Sequence, residues 1–317
     1  MLSDQQLQRF DEDGFLVVED LLDQDTIVAP LIAEYEALLD DLRDDWIAEG
    51  QLDPNAPAGT FQERISSAYA AGLDYFQPLD ISLPPGAITL DTPFHVGPAA
   101  FRLLTAPALL DAVESLIGPE LTSNPIQHVR IKPPSVELHA GEIRAHITST
   151  DWHQDRAVTL EEADRTRMVT AWVAVTDATV ENGCLQVIPG SHRGQMMPHC
   201  PQPQVGIPAK LFDQSMAKPL PIRSGGAILF HPLTIHGSLA NTSQQVRWSF
   251  DLRYNVTGEP TGRPMFPSFV ARSRRAPETV LRDPNVWREM WEQARSTLAT
   301  GEITQIHRWS PDAAHCA

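Results

Sequence analysis

VTAWVAVTDATVENGCLQVIPGSH, residues 169–192, decides how the rest of the chain is read. Its first nine residues alternate in the manner of a strand whose side chains point in turn to opposite faces. Glu181-Asn182-Gly183 then signals a turn, and Asn182 with Gly183 suits a tight hairpin in which positive φ is needed. IQHVRIKPP (126–134) alternates as well, while CLQVIPGSH (184–192), GAILFHPLTIHGS (226–238) and VRWSFDLRYN (246–255) are short and rich in β-branched and aromatic residues. Turn signals bound them, and no helix separates successive strands. That is the pattern of antiparallel structure, a sandwich or jelly roll rather than a parallel βαβ sheet.

Outward from this region the chain turns helical. Ser3 can cap DQQLQRF (4–10), and Gly14 ends that helix before the apolar run Phe15 to Val18. Residues 25–50 carry apolar positions at helical spacing, and further helical pieces follow at 61–73, 98–104 and 108–118. DPNVWREMWEQARSTLATG (283–301) reads as a closing helix, with Trp287 and Trp291 on one face covering the core. The expected organisation is one domain over 1–317: a largely helical part at 1–120, a β-core at 121–256, and a C-terminal segment and helix at 257–317.

Composition narrows the function. With 24 basic against 41 acidic residues the net charge is −17, and no basic stripe with interleaved aromatics appears, so nucleic acid is not an expected partner. The acidic N-terminus lacks a long apolar run, which argues against a signal peptide or membrane span. Cys184, Cys200 and Cys316 are odd in number and irregularly spaced, so no disulfide framework is expected, and a reduced cytoplasmic setting fits.

DWHQDRAV (151–158) contains the chain's single H-x-D. On an extended segment residues i and i+2 share a side, so His153 and Asp155 would converge on one point. A 2-His-1-carboxylate site for Fe(II) needs a second histidine from a distant strand. His192, His199, His231 and His236 are the downstream candidates. His231 and His236 are five apart, and on one strand an odd separation puts them on opposite faces. An oxygenase of this kind takes a dicarboxylate cosubstrate, whose far carboxylate calls for the planar fork of an arginine. Arg247 follows His236 by eleven residues, which favours His236 as the ligand. Arg253 would sit about 20 Å further along an extended strand, too far from the metal to replace Arg247. The structural alternative for all these residues is a set of hydrogen-bonded polar groups in a β-core.

Several separated blocks resemble the phytanoyl-CoA hydroxylase family of Fe(II)- and 2-oxoglutarate-dependent dioxygenases. They are FDEDGFLVVEDLL (10–22), IKPP (131–134), WHQD (152–155), residues 170–194 and residues 230–254. The resemblance implies a mainly β fold with flanking helices, its core a double-stranded β-helix of the jelly-roll, cupin-like type. It implies His153, Asp155 and His236 as iron ligands and Arg247 as the partner of the 2-oxoglutarate C5 carboxylate. Lys132 and Trp172 match positions lining the cosubstrate pocket, and Ser238 adds a hydroxyl there. The implied reaction uses Fe(II), 2-oxoglutarate and O2 to hydroxylate an unactivated C–H of a small molecule, releasing succinate and CO2.

Desaturation, cyclisation and epimerisation share that chemistry, whereas Asp155 argues against halogenation. Rivals of another class are a non-catalytic jelly-roll ligand-binding protein and a zinc hydrolase, in which Arg247 would have no purpose. Arg272, Arg274 and Arg275 form the one dense basic cluster, either a solvated turn or an attractor for an anionic substrate group. His192 reads as a loop-structuring residue and His231 as packed on the opposite face. Residues 133–152 and 256–280 are where a lid and substrate contacts are expected.

Overall fold

The long strand β9, Arg247–Val256, organises the molecule. Its residues alternate without a break. Trp248, Phe250, Leu252 and Tyr254 belong to the larger apolar core, while Arg247, Asp251 and Arg253 line an internal cavity on the other face. The computed structural model describes residues 1–84, 86–134, 150–201, 204–301 and 308–316.

Strands β1 (Phe15–Val18), β2 (Leu121–Ser123), β3 (His128–Lys132), β4 (Met168–Ala174), β7 (Ala227–Phe230) and β10 (Phe269–Arg272) join β9 in the larger sheet. Its order is β1-β7-β4-β9-β2-β10, with β3 also pairing β9, and every pairing is antiparallel. The smaller sheet is β6-β5-β8, from Lys218–Leu220, Leu185–Val187 and His236–Ser238. The jelly-roll expectation holds: two antiparallel sheets enclose the cavity, and helices cover the outer face of the larger one.

The hairpin expected at Asn182-Gly183 is a different device. β4 lies in the larger sheet and β5 in the smaller, so the turn hands the chain from one sheet to the other. Asn182 holds the crossing by accepting from the Thr179 N–H at 2.7 Å and donating to the Asp177 carbonyl at 2.8 Å. Gly183 has φ +90°, and a Cβ there would lie 2.6 Å from the Leu239 carbonyl oxygen, so only glycine fits.

The helical layer comprises α1 (Asp4–Asp13), α2 (Ala29–Ala48), α3 (Phe61–Ala70), α4 (Phe76–Leu79), α5 (Pro98–Leu104), α6 (Pro107–Ile117) and α7 (Pro284–Thr300). Ser3 and Gln6 form a capping box on α1, and Gly14 ends it in the left-handed region. Trp248 stacks on Phe61 of α3 at 4.8 Å between centroids and meets Tyr35 of α2 at 5.2 Å. Trp287 and Trp291 are buried in the same core, as their spacing on α7 implied. Each such side chain contributes about 1.5–3 kcal/mol by leaving water, which fastens the helices to this face; the other face carries the polar groups of β9 beside a second apolar cluster that includes Trp172, Ile228 and Phe230.

The cysteines depart from the expectation drawn from their spacing. Cys200 and Cys316 form a disulfide across 116 residues, and Cys184 is free and buried. A pair so far apart leaves no mark in a sequence pattern. The bond fastens residues 308–316 across the outside of the segment that follows the H-x-D: Trp309 Nε1 donates to the Ala157 carbonyl at 2.8 Å and Arg308 Nε to the Thr159 carbonyl at 2.9 Å. Among the described residues no helix is long and apolar enough to cross a membrane.

Candidate active site

His153 and His236 meet because their backbones pair. The His153 N–H donates to the His236 carbonyl at 2.8 Å, and the His236 N–H returns the bond at 3.0 Å. Register thus places the two imidazoles side by side, 4.2 Å between centroids. Each ring is turned by the same local contact. Nδ1 of His153 lies 2.8 Å from the Asp151 carbonyl and Nδ1 of His236 lies 3.0 Å from the Thr234 carbonyl. A carbonyl can only accept, so each Nδ1 carries a proton and each Nε2 is the ring nitrogen left for the cavity.

Asp155 completes the group. The backbone is extended at Gln154 (φ −118°, ψ 134°) and enters a 3-10 turn at Asp155, so the two outer side chains converge as the period of two requires. Asp155 Oδ1 lies 3.6 Å from His153 Nε2 and 3.9 Å from His236 Nε2, and the three donor atoms fall within 4.8 Å of one another. Its Oδ2 accepts from the Thr170 hydroxyl, and its Oδ1 is held by the Arg253 guanidinium. Burial by itself would raise the Asp155 carboxyl; Arg253 and the two histidines outweigh it and hold the group well below the usual carboxylate range. Burial pushes His236 down to about 4, so it is neutral near pH 7. Two imidazoles that face the cavity through Nε2 and an ionised carboxylate are the donor set a divalent transition metal takes, and these residues fit it.

Arg253 overturns a distance argument. Its place along β9 suggested isolation from the metal site, yet it ion-pairs with Asp155. The cavity runs along β9 between Arg247 and Arg253, with Asp155 at the Arg253 end. Thr170, the other partner of Asp155, is the cross-strand neighbour of Arg253 on β4. Distance from Arg247 was the wrong measure.

Arg247 is 1% exposed. One guanidinium nitrogen donates to the Ser249 hydroxyl at 2.7 Å, Nε has no partner among the described residues, and the group lies 5.4 Å from the Trp172 ring centroid. No carboxylate pairs with it among the described residues, and burial lowers it to about 10, which leaves it charged at neutral pH. Lys132, its register partner on β3, gives its Nζ to the Ser238 hydroxyl at 2.8 Å and the Leu239 carbonyl at 2.6 Å. Lys132 and Ser238 therefore brace each other beside the cavity, and neither is among the residues that line it.

The structure leaves the other conspicuous residues outside. His231 and His236 are not on one strand, since β7 ends at Phe230 and β8 begins at His236, so the parity argument lacked its premise although the ligand it favoured is the one in the cluster. His231 Nδ1 accepts from the Leu233 N–H at 3.1 Å, and His192 Nε2 contacts the Asp11 carbonyl at 3.1 Å. Arg272 pairs with Asp111 at 2.6 Å and Glu114 at 2.8 Å, and Arg274 with Glu114 at 2.6 Å, so acids of α6 neutralise this cluster. The Arg275 backbone N–H donates to Glu120, and none of the three arginines lines the cavity. Within 256–280 the chain forms β10 and packs Gly262 against Thr159 rather than making a free lid. Residues 135–149 of the other expected lid segment lie outside the described residues.

Gln154 and His199 are the supports that sequence reasoning missed. The Gln154 side chain, fully buried, donates to the Leu233 carbonyl at 2.8 Å and accepts from the Met197 N–H at 2.7 Å. Its backbone N–H donates to His199 Nε2 at 3.0 Å. The signal was available in the H-x-D itself: the middle residue must point away from the metal, into the protein, where a glutamine needs partners.

Burial pushes His199 to about 3 and His231 to about 4, below the unfolded value near 6.5. Because the folded values are depressed, the stability they carry is present above about pH 6.5 and is lost as pH falls through them. The part of the thermal unfolding midpoint that these two histidines set is expected to be flat above that pH and to fall below it. His199→Gln should flatten the decline between about pH 6.5 and 4; an unchanged profile would remove His199 from this account.

Residues 10–249 match the family described as Phytanoyl-CoA dioxygenase (PhyH). The chain belongs to that family. A probable phytanoyl-CoA dioxygenase of Caenorhabditis elegans is 30% identical over 179 residues, covering 53% of this chain and 54% of that protein. The peroxisomal phytanoyl-CoA dioxygenase of Bos taurus is 32% identical over 154 residues, 46% of this chain and 43% of that protein. The match thus spans about half the length of these relatives. Among solved structures, the non-heme monooxygenase ThoJ in its apo form aligns with TM-score 0.55 at 23% identity, over 92% of this chain and 96% of that one. The non-heme alpha ketoglutarate dependent epimerase SnoN from nogalamycin biosynthesis aligns with TM-score 0.51 at 21% identity, over 82% and 86%. These likenesses establish the shared jelly-roll fold.

Proposed function

We propose that this chain is an Fe(II)- and 2-oxoglutarate-dependent dioxygenase that hydroxylates an unactivated C–H bond of a small molecule. The observation that carries the reading is Arg247, a buried guanidinium with no acidic partner among the described residues, in the same cavity as the His153–Asp155–His236 donor set. An uncompensated charge inside a protein is costly, so a site that keeps one is built for an anion.

When bound, Fe(II) with 2-oxoglutarate and O2 supplies the oxidising equivalent, and the 2-oxo acid leaves as succinate and CO2. The chain's own residues supply binding and geometry. His153 and His236 present Nε2 because the Asp151 and Thr234 carbonyls hold their Nδ1 protons. Asp155 contributes a carboxylate kept ionised, and Thr170 fixes its second oxygen. Arg247 takes the far carboxylate of the cosubstrate by its two-pronged edge, over the Trp172 ring, with Lys132 and Ser238 bracing that end of the cavity. Phe230, 4.4 Å from the His236 ring, excludes water from one side of the site.

The same residues serve desaturation, cyclisation or epimerisation, which product analysis separates from hydroxylation. We take the chain as one dioxygenase domain acting on a small molecule, with no nucleic-acid or membrane partner, in a cytoplasmic setting. There the Cys200–Cys316 bond would meet a reducing pool.

Anaerobic addition of Fe(II) and then 2-oxoglutarate tests the reading. A visible charge-transfer band should appear only with both and bleach on exposure to O2. His231→Ala should keep the band and His236→Ala should lose it. Wild-type protein that shows no band is not this enzyme, whereas a ligand-binding jelly roll or a zinc hydrolase gives none.

A further inference from the structure

Arg253 is 4% exposed and lies beyond the span matched to the family, which ends at residue 249. Its guanidinium is bound at two corners: one nitrogen donates to the Ile126 carbonyl at 2.9 Å and another holds Asp155 Oδ1, while Nε has no partner among the described residues. The other Asp155 oxygen belongs to Thr170. Oδ1 is also the oxygen that faces the metal position, being the one 3.6 Å and 3.9 Å from the two histidine Nε2 atoms. A cation held by the three donors and the Arg253 guanidinium would therefore meet on the same oxygen. Two positive centres at contact distance on one carboxylate oxygen repel each other, and in a buried site water does not screen them.

We infer that Arg253 is a placeholder cation that hands Asp155 over to the metal and then serves the metal-bound carboxylate of the 2-oxo acid. In the metal-free protein it neutralises Asp155 and keeps it aligned, which a buried carboxylate needs. On metal binding it releases Oδ1. The guanidinium stays tethered by Ile126 on the cavity wall and offers its freed N–H groups to an anion next to the metal. Arg247 and Arg253 then hold opposite ends of one dicarboxylate: Arg247 the far end, Arg253 the end at the metal. Arg253 is thus both a positioning residue for Asp155 and a cosubstrate contact. The inference rests on the reading of the site as a 2-oxoglutarate dioxygenase.

The test is a pair of titrations on wild type, Arg253→Met and Arg253→Gln, above neutral pH. Mn(II) is titrated into metal-free protein, and 2-oxoglutarate into the Mn(II)-loaded protein. The two affinities should move in opposite directions. Losing the competing cation should tighten Mn(II) several-fold, and losing a charge-assisted contact should weaken 2-oxoglutarate about tenfold or more. Metal-free Arg253→Met should also melt below wild type and recover on Mn(II) addition more than wild type gains. If Arg253→Met fails to fold, Arg253→Gln carries the comparison, since its amide can still donate to Ile126 without the charge. A merely structural role weakens both ligands together; that result, or two unchanged affinities, overturns the inference. Wild-type protein that binds neither ligand overturns the dioxygenase reading instead.

Discussion

Arg247→Ala is expected to weaken 2-oxoglutarate binding by roughly 1.5 to 3.5 decades while leaving metal affinity as it is. Truncating one side of a buried, hydrogen-bonded charge pair costs about 2–5 kcal/mol, and about 1.4 kcal/mol corresponds to a decade. Arg247→Lys should recover part of the loss, because it restores the charge but not the planar fork. The sign of the stability change separates this residue from an ordinary structural arginine. Among the described residues no carboxylate pairs with Arg247, so in the ligand-free protein its buried charge is a burden. Arg247→Met should therefore melt at or above the wild-type temperature without cosubstrate. Only wild type should gain stability when 2-oxoglutarate is added to the metal-loaded protein. Titration calorimetry and thermal melts read both effects. Wild-type cosubstrate affinity in Arg247→Ala would move the anchor elsewhere.

Asp155→Ala should abolish Mn(II) binding and also destabilise the fold by about 3–5 kcal/mol, because it strands Arg253 as an unpaired interior charge. The second effect is the informative one, since loss of a metal ligand alone would not unfold a metal-free protein. The double variant Asp155→Ala/Arg253→Met should regain most of that stability and none of the metal binding. Urea unfolding of the two single variants and the double variant gives the coupling directly. Additive losses would mean that the Asp155–Arg253 pair contributes nothing as a pair.

What the sequence disclosed and what it hid divide along a physical line. The period of two is local, so the convergence of His153 with Asp155 and the antiparallel character of the second half were legible from spacing alone. Arg247 was singled out by its residue type and its place eleven residues after His236, and the structure buries it in the cavity that His153, Asp155 and His236 line. Long-range pairing was not legible. Nothing near Arg253 reveals that Thr170 brings Asp155 over it, because that depends on the register of β4 against β9. Nothing near Arg272 reveals that Asp111 and Glu114 wait on α6 to neutralise it. The turn at Gly183 was correct in its chemistry and wrong in its partners, since positive φ serves a crossing between sheets as well as a hairpin. His231 and His236 show the opposite case, in which the favoured residue occupies the site although the intervening residues do not form the strand the argument assumed.

The Cys200–Cys316 bond gives the chain a topology that its linear order conceals. It closes residues 200–316 into a covalent ring and leaves residues 1–199 as an open tail. His236, Arg247 and Arg253 belong to the ring, whereas His153 and Asp155 belong to the tail. The candidate metal centre is therefore drawn from two topologically distinct parts, with Arg247 and Arg253 both on the closed one. A single backbone cut within the ring releases no fragment while the sulfurs remain joined. Reduction reopens the ring and restores an ordinary linear polymer, with every ligand still attached to the same stretch of chain.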